Sequence, residues 1–317
     1  MTTTTADDLD TGQAPAQAAL TARDTDVQPG HGRPALLLMA PFLILYLAFI
    51  IGPSIYMIVM SFFDTSLVQP GLGAFAGFSN FAEALGSSAF WRSMWHTIWF
   101  TILTTPPLVI LAFVFALLAD RVRRGRWFFR LAFFLPYILP SAVVALIWMW
   151  LYTPELGLLG RVVTAFGFAE PAWLGSPSLA MWSLALTTVW WTLGFNFVLY
   201  LAGLQDIPRD LYEAASMDGA GPWQQIRKIT IPMLARTTSL VLVLQIIASL
   251  KLFDQAYIMT SGGPNFSTRP VLEYIYDEGF TNFRTGYAAA ASTLFFILVL
   301  AVSAVWVALT RRQEQGL

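Results

Sequence analysis

Residues 93–119 read SMWHTIWFTILTTPPLVILAFVFALLA, and this stretch contains no Asp, Glu, Lys or Arg. An α-helix rises about 1.5 Å per residue, so it needs about 20 apolar residues to cross the roughly 30 Å of hydrocarbon in a bilayer. The run exceeds that length, and its Ser and Thr hydroxyls can bond to their own helix. The stretch therefore predicts a helix that spans a membrane.

The same pattern recurs on both sides of this stretch. Further charge-free runs occupy residues 34–63, 131–154, 171–205 and 285–310. One more apolar segment, near 233–253, is interrupted only by Arg236 and Lys251 at its two ends, where long basic side chains can reach the interface. The charge-free run 65–82 is broken by Pro and Gly and predicts a loop. We predict an all-α polytopic membrane protein with six transmembrane helices, at about residues 34–62, 94–119, 129–152, 178–203, 233–253 and 286–310.

Composition excludes most other classes of protein. The chain has 317 residues, of which 12% are charged and 56% are hydrophobic, and it contains no cysteine. Soluble domains usually carry about 25% charged residues, so these charges are too few to cover a water-soluble globule. The absence of cysteine excludes disulfide scaffolds and thiolate metal sites. The net charge of −1 gives no reason to expect a nucleic acid partner, and we predict no metal or cofactor bound by this chain.

The basic residues predict which ends of the helices face the cytoplasm. With the N-terminus inside, thirteen fall in inside segments: Arg23, Arg33, Arg121, Arg123, Arg124, Arg126, Arg130, Arg209, Arg227, Lys228, Arg236, Arg311 and Arg312. Four fall outside: Arg92, Arg161, Arg269 and Arg284. Because inside loops are enriched in Lys and Arg, we expect a multi-pass protein of the cytoplasmic membrane with both termini in the cytoplasm. Residues 1–33, expected to be disordered, and 311–317 would be tails around a transmembrane domain at 34–310.

The loop at residues 204–232 reads LQDIPRDLYEAASMDGAGPWQQIRKITIP and is longer than the other cytoplasmic connections. Its first half has an apolar side at i, i+4 spacing, Gly219 permits a sharp turn, and Pro222 can open a second helix. The loop therefore predicts two short amphipathic helices joined by a turn. The residues alone leave two interpretations open. The helix pair could lie on lipid headgroups, or it could fit a groove of a soluble partner with Glu213 as its polar anchor.

Four motifs resemble a known family of membrane proteins. Residues 213–220 (EAASMDGA), followed by Ile and Pro further along the loop, resemble the EAA motif of permease subunits of ATP-binding-cassette (ABC) importers. Residues 77–81 (GFSNF), 135–141 (LPYILPS) and 260–264 (TSGGP) are similar to stretches of the maltose-type sugar permeases within that group. The resemblance covers roughly residues 34–310.

The resemblance implies an ABC type I importer permease fold and a role as the non-catalytic, pore-forming subunit of an ATP-driven sugar importer. It implies a second permease subunit, two ATPase subunits that use ATP and Mg²⁺, an extracytoplasmic sugar-binding protein and membrane lipid as partners. The loop would sit in a cleft of one ATPase subunit and move with it, since it can transmit motion only if it stays bound in both states. The residues assigned to this coupling are Leu211, Tyr212, Glu213, Ala214, Ala215, Asp218, Gly219, Trp223 and Ile226.

Sugar sites combine aromatic faces with polar groups that satisfy hydroxyls, and three predicted spans supply both. By the resemblance, Tyr137 and Ser141 in the third span are expected to contact the sugar, beside prolines that can loosen the helix. The candidates for the substrate path are Tyr137, Ser141, Trp190, Gly194, Asn196, Phe197, Gln245, Ser249 and Leu252. The alternative for each is helix packing or an aromatic belt, although the amides of Asn196 and Gln245 need hydrogen-bond partners in hydrocarbon.

Two other classes of function compete with a sugar permease. A gradient-driven secondary solute carrier normally needs carboxylates inside the membrane, and the charge-free runs contain none. A membrane-embedded enzyme needs clustered acid and base groups, whereas this chain has two His and no Cys. His96 is expected to be structural. Lys251 and Asp254, three residues apart at a helix end, are expected to pair with each other or to reach the interface.

Overall fold

A computed structural model of the chain describes residues 32–69, 71–122 and 125–315. The predicted tail at 1–33 lies almost entirely outside these residues. The chain divides into two compact units, Met1–Ile55 and Tyr56–Leu317. The described residues are mostly helical, and their strands form one short antiparallel pair, β1 (Phe63–Asp64) with β2 (Ala74–Phe75).

The described part of the first unit lies on one apolar helix. Helix α1 (Gly32–Tyr46) continues through a π-helical turn, Leu47–Ile51, into α2 (Gly52–Met60), which extends into the second unit. None of the most apolar part of the span Leu38–Met60 is buried. A charge-free helix of 23 residues with an exposed apolar surface requires lipid or another subunit around it.

The second unit holds the remaining described helices. They are α3 (Ser79–Gly86), α4 (Ser88–Arg121), α5 (Arg126–Ile138), α6 (Ser141–Tyr152), α7 (Leu158–Ala165), α8 (Ala180–Gln205), α9 (Arg209–Met217), α10 (Pro222–Gln225), α11 (Ile231–Met233), α12 (Ala235–Leu250), α13 (Asp254–Thr260), α14 (Val271–Tyr276) and α15 (Thr285–Gln315). Two π-helical turns, Ile226–Thr230 and Asp277–Thr281, join α10 to α11 and extend α14. Among the described residues, four helices are long and apolar enough to span a membrane, or up to six if each of two bent pairs is one span. The all-helical, multi-span fold class is confirmed.

The third predicted span, 129–152, is a broken helix and not a continuous one. Helices α5 and α6 are bent by 97° relative to each other. Pro140 explains the break, because it has no N–H to donate and disfavours a helical conformation at Leu139, whose ψ is 138°. The indole N–H of Trp191 donates to the Leu139 carbonyl at 3.1 Å. A side chain of α8 therefore satisfies a carbonyl at the break.

The fifth predicted span, near 233–253, also differs from one straight helix. The helix that precedes it, Pro222–Met233, is bent by 62° relative to α12. At the other end, α12 stops at Leu250, three residues before the predicted boundary. The next residues leave the helical conformation, and Phe253 has φ −147° and ψ −69°. The predicted boundary is too late because Leu252 and Phe253 are apolar, so the hydrophobic pattern continues beyond the end of the helix.

Small residues let the central helices approach closely. Ala112, Ala116 and Ala119 of α4 are buried against Phe197 and Leu201 of α8. Alanine side chains at spacings of three or four residues form a flat stripe on one face of a helix, which permits close packing inside a membrane. Helices α4 and α8 are therefore the centre of the second unit.

The connection between α12 and α15 buries a carboxylate outside the membrane-spanning segments. Glu273 of α14 is 2% exposed, and its Oε2 atom has no hydrogen-bond partner within the described chain. Burial raises the pKa of Glu273 to about 7; the Asp277 carboxylate adds to this, and Arg269 opposes it. Arg269 itself lies 3.6 Å from Asp277, and its carbonyl oxygen lies 3.2 Å from Nδ1 of His96. His96 therefore contacts the backbone of this connection.

This buried carboxylate makes the stability of the connection depend on pH. Because the folded pKa of Glu273 lies above its ordinary value of 4.5, the folded state binds more protons, and stability falls as pH rises from about 4.5 to 7. We expect Glu273→Gln to raise the melting temperature at pH 8 relative to the wild type, with a smaller difference at pH 5. Thermal unfolding of the purified protein, with Asp64→Asn as the exposed-carboxylate control, measures this. Equal pH dependence in Glu273→Gln and wild type would contradict it.

Candidate functional site

A cavity of about 400 Å³ lies among the third, fourth and fifth spans. It lies beside the break between α5 and α6 and beside the end of α12, so irregular backbone lines part of it. Non-helical backbone at membrane depth is tolerated where it is buried in protein or lines a water-filled cavity. The cavity is also within the size range of pockets that hold small ligands.

Five of the nine predicted substrate-path residues line this cavity: Tyr137, Ser141, Gln245, Ser249 and Leu252. The Tyr137 ring stacks on Phe195 of α8, with 5.1 Å between the ring centroids, and it lies 6.4 Å from the Trp191 ring. Ser249 donates to the Thr101 hydroxyl at 3.0 Å. The cavity therefore has an aromatic wall on one side and hydroxyl and amide groups on another.

The other four predicted residues do not line the cavity: Gly194, Asn196 and Phe197 are buried between helices, and Trp190 is 39% exposed. Phe197 is fully buried, and Gly194 lies against the backbone of α5 at Phe133. Trp190 makes an edge-on ring contact with Trp148 at 5.6 Å. Asn196 is fully buried and donates through Nδ2 to Gln245 Oε1 at 3.1 Å. One hydrogen bond thus joins the two amides across α8 and α12, while Asn196 Oδ1 is buried with no partner in the described residues.

Several cavity residues are not among the predicted substrate-path residues. They are Thr188, Trp191, Thr192, Lys251, Asp254 and Gln255. Thr188 donates to Gln255 Oε1 at 2.9 Å, and Ser141 donates to Asp254 Oδ2 at 2.5 Å. The expected pairing of Lys251 with Asp254 is not formed, since these side chains make no ion pair within the described residues. Asp254 instead connects α13 to the first residue of α6.

The 204–232 loop folds as two helices joined by a turn, as the sequence predicts. Gly219 has φ 79°, the left-handed conformation that glycine adopts without strain. Across the turn, Gln225 Nε2 donates to Ser216 Oγ at 2.8 Å. The Tyr212 hydroxyl lies 2.9 Å from Thr230 Oγ1, and the Tyr212 ring packs against a buried cluster of α4 and α8. Tyr212 therefore fixes the loop to the bundle, and its assignment to the ATPase contact stays a prediction.

The outer surface of this loop exposes large apolar side chains. Leu211 is 42% exposed, Met217 90% and Trp223 71%. Glu213 is exposed, and its carboxylate makes no ion pair or hydrogen bond with any described residue. Among the other residues assigned to the coupling, Ala214, Asp218 and Gly219 are exposed, whereas Ala215 and Ile226 are half-buried. Met217 was missed, although it stands two residues before the turn.

Apolar spans around a cavity lined by apolar, aromatic and polar side chains, with an exposed two-helix loop beside them, are typical of a membrane transport protein. Residues 109–315 match the family described as the binding-protein-dependent transport system inner membrane component. The chain belongs to this family. It is therefore the membrane permease of a binding-protein-dependent transport system, and the predicted resemblance is confirmed.

Two relatives and one solved structure show how far the similarity extends. The sulfoquinovosyl glycerol transport system permease protein SmoG of Agrobacterium fabrum is 35% identical over 280 residues, which is 88% of this chain and 91% of that protein. The trehalose/maltose transport system permease protein MalF of Thermococcus litoralis is 32% identical, over 87% of this chain and 92% of that protein. A bacterial ABC transporter involved in import of the acidic polysaccharide alginate contains a chain that is 25% identical, with a TM-score of 0.76; 89% of this chain and 97% of that chain are covered.

Proposed function

We propose that this chain is the pore-forming, non-catalytic permease subunit of an ATP-driven sugar importer. The observation that carries the proposal is the apolar surface of the 204–232 loop. Its Leu211, Met217 and Trp223 side chains are exposed and are not covered by the described part of the chain. An exposed apolar surface of this kind marks an interaction site. The resemblance of the EAA motif on the same helix supports an ATPase subunit as the partner, which would use ATP and Mg²⁺.

Sugar as the substrate class follows from the relatives and from the cavity. The permease relatives are named for sulfoquinovosyl glycerol and for trehalose and maltose. In this chain, Tyr137 and Trp191 supply aromatic faces, and Gln245, Ser249 and Asp254 supply hydrogen-bonding groups. Aromatic rings stack on the C–H faces of sugars while polar groups satisfy their hydroxyls.

The remaining partners follow from the same proposal. A second permease subunit completes the pore, two ATPase subunits dock on the 204–232 loop and its counterpart, and an extracytoplasmic binding protein delivers the sugar. The chain lies in the cytoplasmic membrane with both termini in the cytoplasm, because this orientation places most of its basic residues inside. The solved structure of the alginate transporter in complex with a pentasaccharide-bound periplasmic protein offers a precedent for the binding protein.

Reconstituted transport tests the proposal. We expect the complete complex in proteoliposomes to accumulate sugar when ATP is supplied on the side of the ATPase subunits. A non-hydrolysable ATP analogue should abolish accumulation, because alternating access is driven by the partner's hydrolysis. The readout is mass spectrometry of the vesicle contents after exposure to a mixture of mono-, di- and trisaccharides.

A proton and sodium uncoupler is the control in this experiment. Accumulation that collapses with the uncoupler and survives without ATP would replace the importer with a gradient-driven carrier. Accumulation that requires ATP and resists the uncoupler supports the importer. No accumulation under either condition would contradict both functions.

A further inference from the structure

The cavity contains one cation and one anion that do not pair with each other. Lys251 and Asp254 are the charged side chains among the described residues that line it. Lys251 follows the last residue of α12, and Asp254 is the first residue of α13, so the irregular segment between them turns both toward the same space. Both side chains are exposed, although Leu252 beside them is 5% exposed.

Each of the two charges keeps free hydrogen-bonding capacity. The Ser141 hydroxyl bonds to Oδ2 of Asp254 at 2.5 Å, and Oδ1 has no partner in the described residues. The Lys251 ammonium makes no hydrogen bond or ion pair with the described part of the chain. A carboxylate oxygen can only accept, and an ammonium can only donate. The cavity thus offers a fixed acceptor and a separate donor, each stronger than a neutral group.

We propose that Lys251 and Asp254 together select uncharged, polyhydroxylated sugars in this cavity. This inference rests on the proposed function and narrows its substrate class. A sugar hydroxyl is both donor and acceptor, so neighbouring hydroxyls on one ring satisfy Asp254 with a donated proton and Lys251 with an oxygen lone pair. Trp191 and Tyr137 lie on the same cavity and cover the apolar face of the ring.

Charge explains why an ionic sugar is disfavoured. A phosphate, sulfonate or carboxylate group is attracted by Lys251 but repelled by Asp254, and it cannot donate to the free carboxylate oxygen. A charged group that leaves water to enter the cavity loses solvation, and this is costly unless the group is paired. With Lys251 and Asp254 as the charged residues among its described lining, this chain contributes no net charge to compensate an ion. An uncharged ring leaves both residues hydrogen-bonded.

Direct binding to the membrane complex tests the selection. The purified complex of this chain with its permease and ATPase partners, without the binding protein, is dialysed against a defined mixture. The mixture holds uncharged mono- and disaccharides with the uronic-acid and phosphorylated derivatives of the same sugars, and bound species are identified by mass spectrometry. We expect the wild type to retain uncharged sugars in preference to the charged derivatives. Retention mainly of anionic derivatives would overturn the inference.

Two variants that each neutralise one charge should change the ratio of anionic to uncharged sugar bound in opposite directions. Asp254→Asn leaves Lys251 as the net charge, so the ratio of anionic to uncharged sugar bound should rise about tenfold. Lys251→Gln leaves Asp254, so the same ratio should fall. Glu155→Gln, an exposed carboxylate outside the cavity lining, should leave the ratio unchanged. A structural role for Asp254 would lower all binding equally, and an unchanged ratio in both variants overturns the inference.

The failure of this inference is distinguishable from the failure of the proposed function. If the wild-type complex imports sugar with ATP but binds charged and uncharged derivatives alike, the importer stands and the selection by Lys251 and Asp254 is wrong. A complex that imports sugar but retains none of the mixture also overturns the selection. A complex that imports no sugar contradicts the proposed function itself.

Discussion

Gly194→Ala is expected to destabilise the helical bundle by about 1–3 kcal/mol, or to prevent its assembly. An added Cβ at position 194 would lie 2.6 Å from the carbonyl carbon of Phe133, and closer still to its oxygen. These are backbone atoms of α5, so no rotation of a side chain can relieve the clash. Helix α5 must move as a whole, which disturbs the Phe133 ring and its contacts with Phe115 and Phe197, at centroid distances of 4.9 and 5.0 Å.

Thermal unfolding of purified wild type and variant measures this effect, with size-exclusion chromatography to detect loss of the folded protein. Gly86→Ala is the matched control, because an added Cβ at Gly86 has nothing within 4 Å. The control should unfold within experimental error of the wild type. Equal melting temperatures for the wild type and both variants would show that α5 and α8 are not packed at Gly194 as described.

The fold class was predictable because the length of an apolar run is a local property. The charge-free run 93–119 lies within α4 (Ser88–Arg121), and no tertiary information is needed to find it. The same holds for the 204–232 loop, where Gly219 and Pro222 determine the turn and the start of the second helix. Pro140 is also a local reason for a break in the third span, but only the structure shows that the two helices are bent by 97°.

The face of α8 that lines the cavity was not predictable in the same way. Residues 180–205 carry no charge, so hydrophobic periodicity does not show which side of the helix faces the cavity. The predicted face through Trp190, Gly194 and Phe197 lies roughly 150° around the helix from the observed lining, because each residue turns an α-helix by about 100°. A signal was present, since Thr188 and Thr192, four apart, flank Trp191 on the observed lining.

The expected pairing of Lys251 with Asp254 is absent for a different reason. Lys251 and Asp254 are three residues apart, which in a continuous helix would bring them together. The helix ends at Leu250, so this spacing does not apply. The partner of Asp254 is Ser141, 113 residues away in the chain, and no local pattern indicates that contact.

Glu213→Ala is expected to reduce ATP-driven uptake by at least about 100-fold while leaving the folded protein in the membrane. The Glu213 carboxylate is exposed on α9 and makes no hydrogen bond or ion pair with a described residue, so its removal breaks no such bond among them. Alanine is also the best helix-forming residue, so α9 should remain intact. A large loss of uptake without a loss of stability locates the interaction of Glu213 outside this chain. Uptake into proteoliposomes and the melting temperature of the same preparation measure both properties.

Asp210→Ala is the matched control, because Asp210 is an exposed carboxylate on the same helix and lies outside the assigned coupling residues. We expect its uptake to stay near that of the wild type. If Glu213→Ala and Asp210→Ala reduce uptake equally, a general loss of negative charge from the loop explains the effect. If Glu213→Ala transports sugar at the wild-type rate, Glu213 is not the polar anchor of the ATPase contact. If Glu213→Ala unfolds at a lower temperature, the carboxylate stabilises the loop itself, and the loss of uptake does not identify a contact with the ATPase.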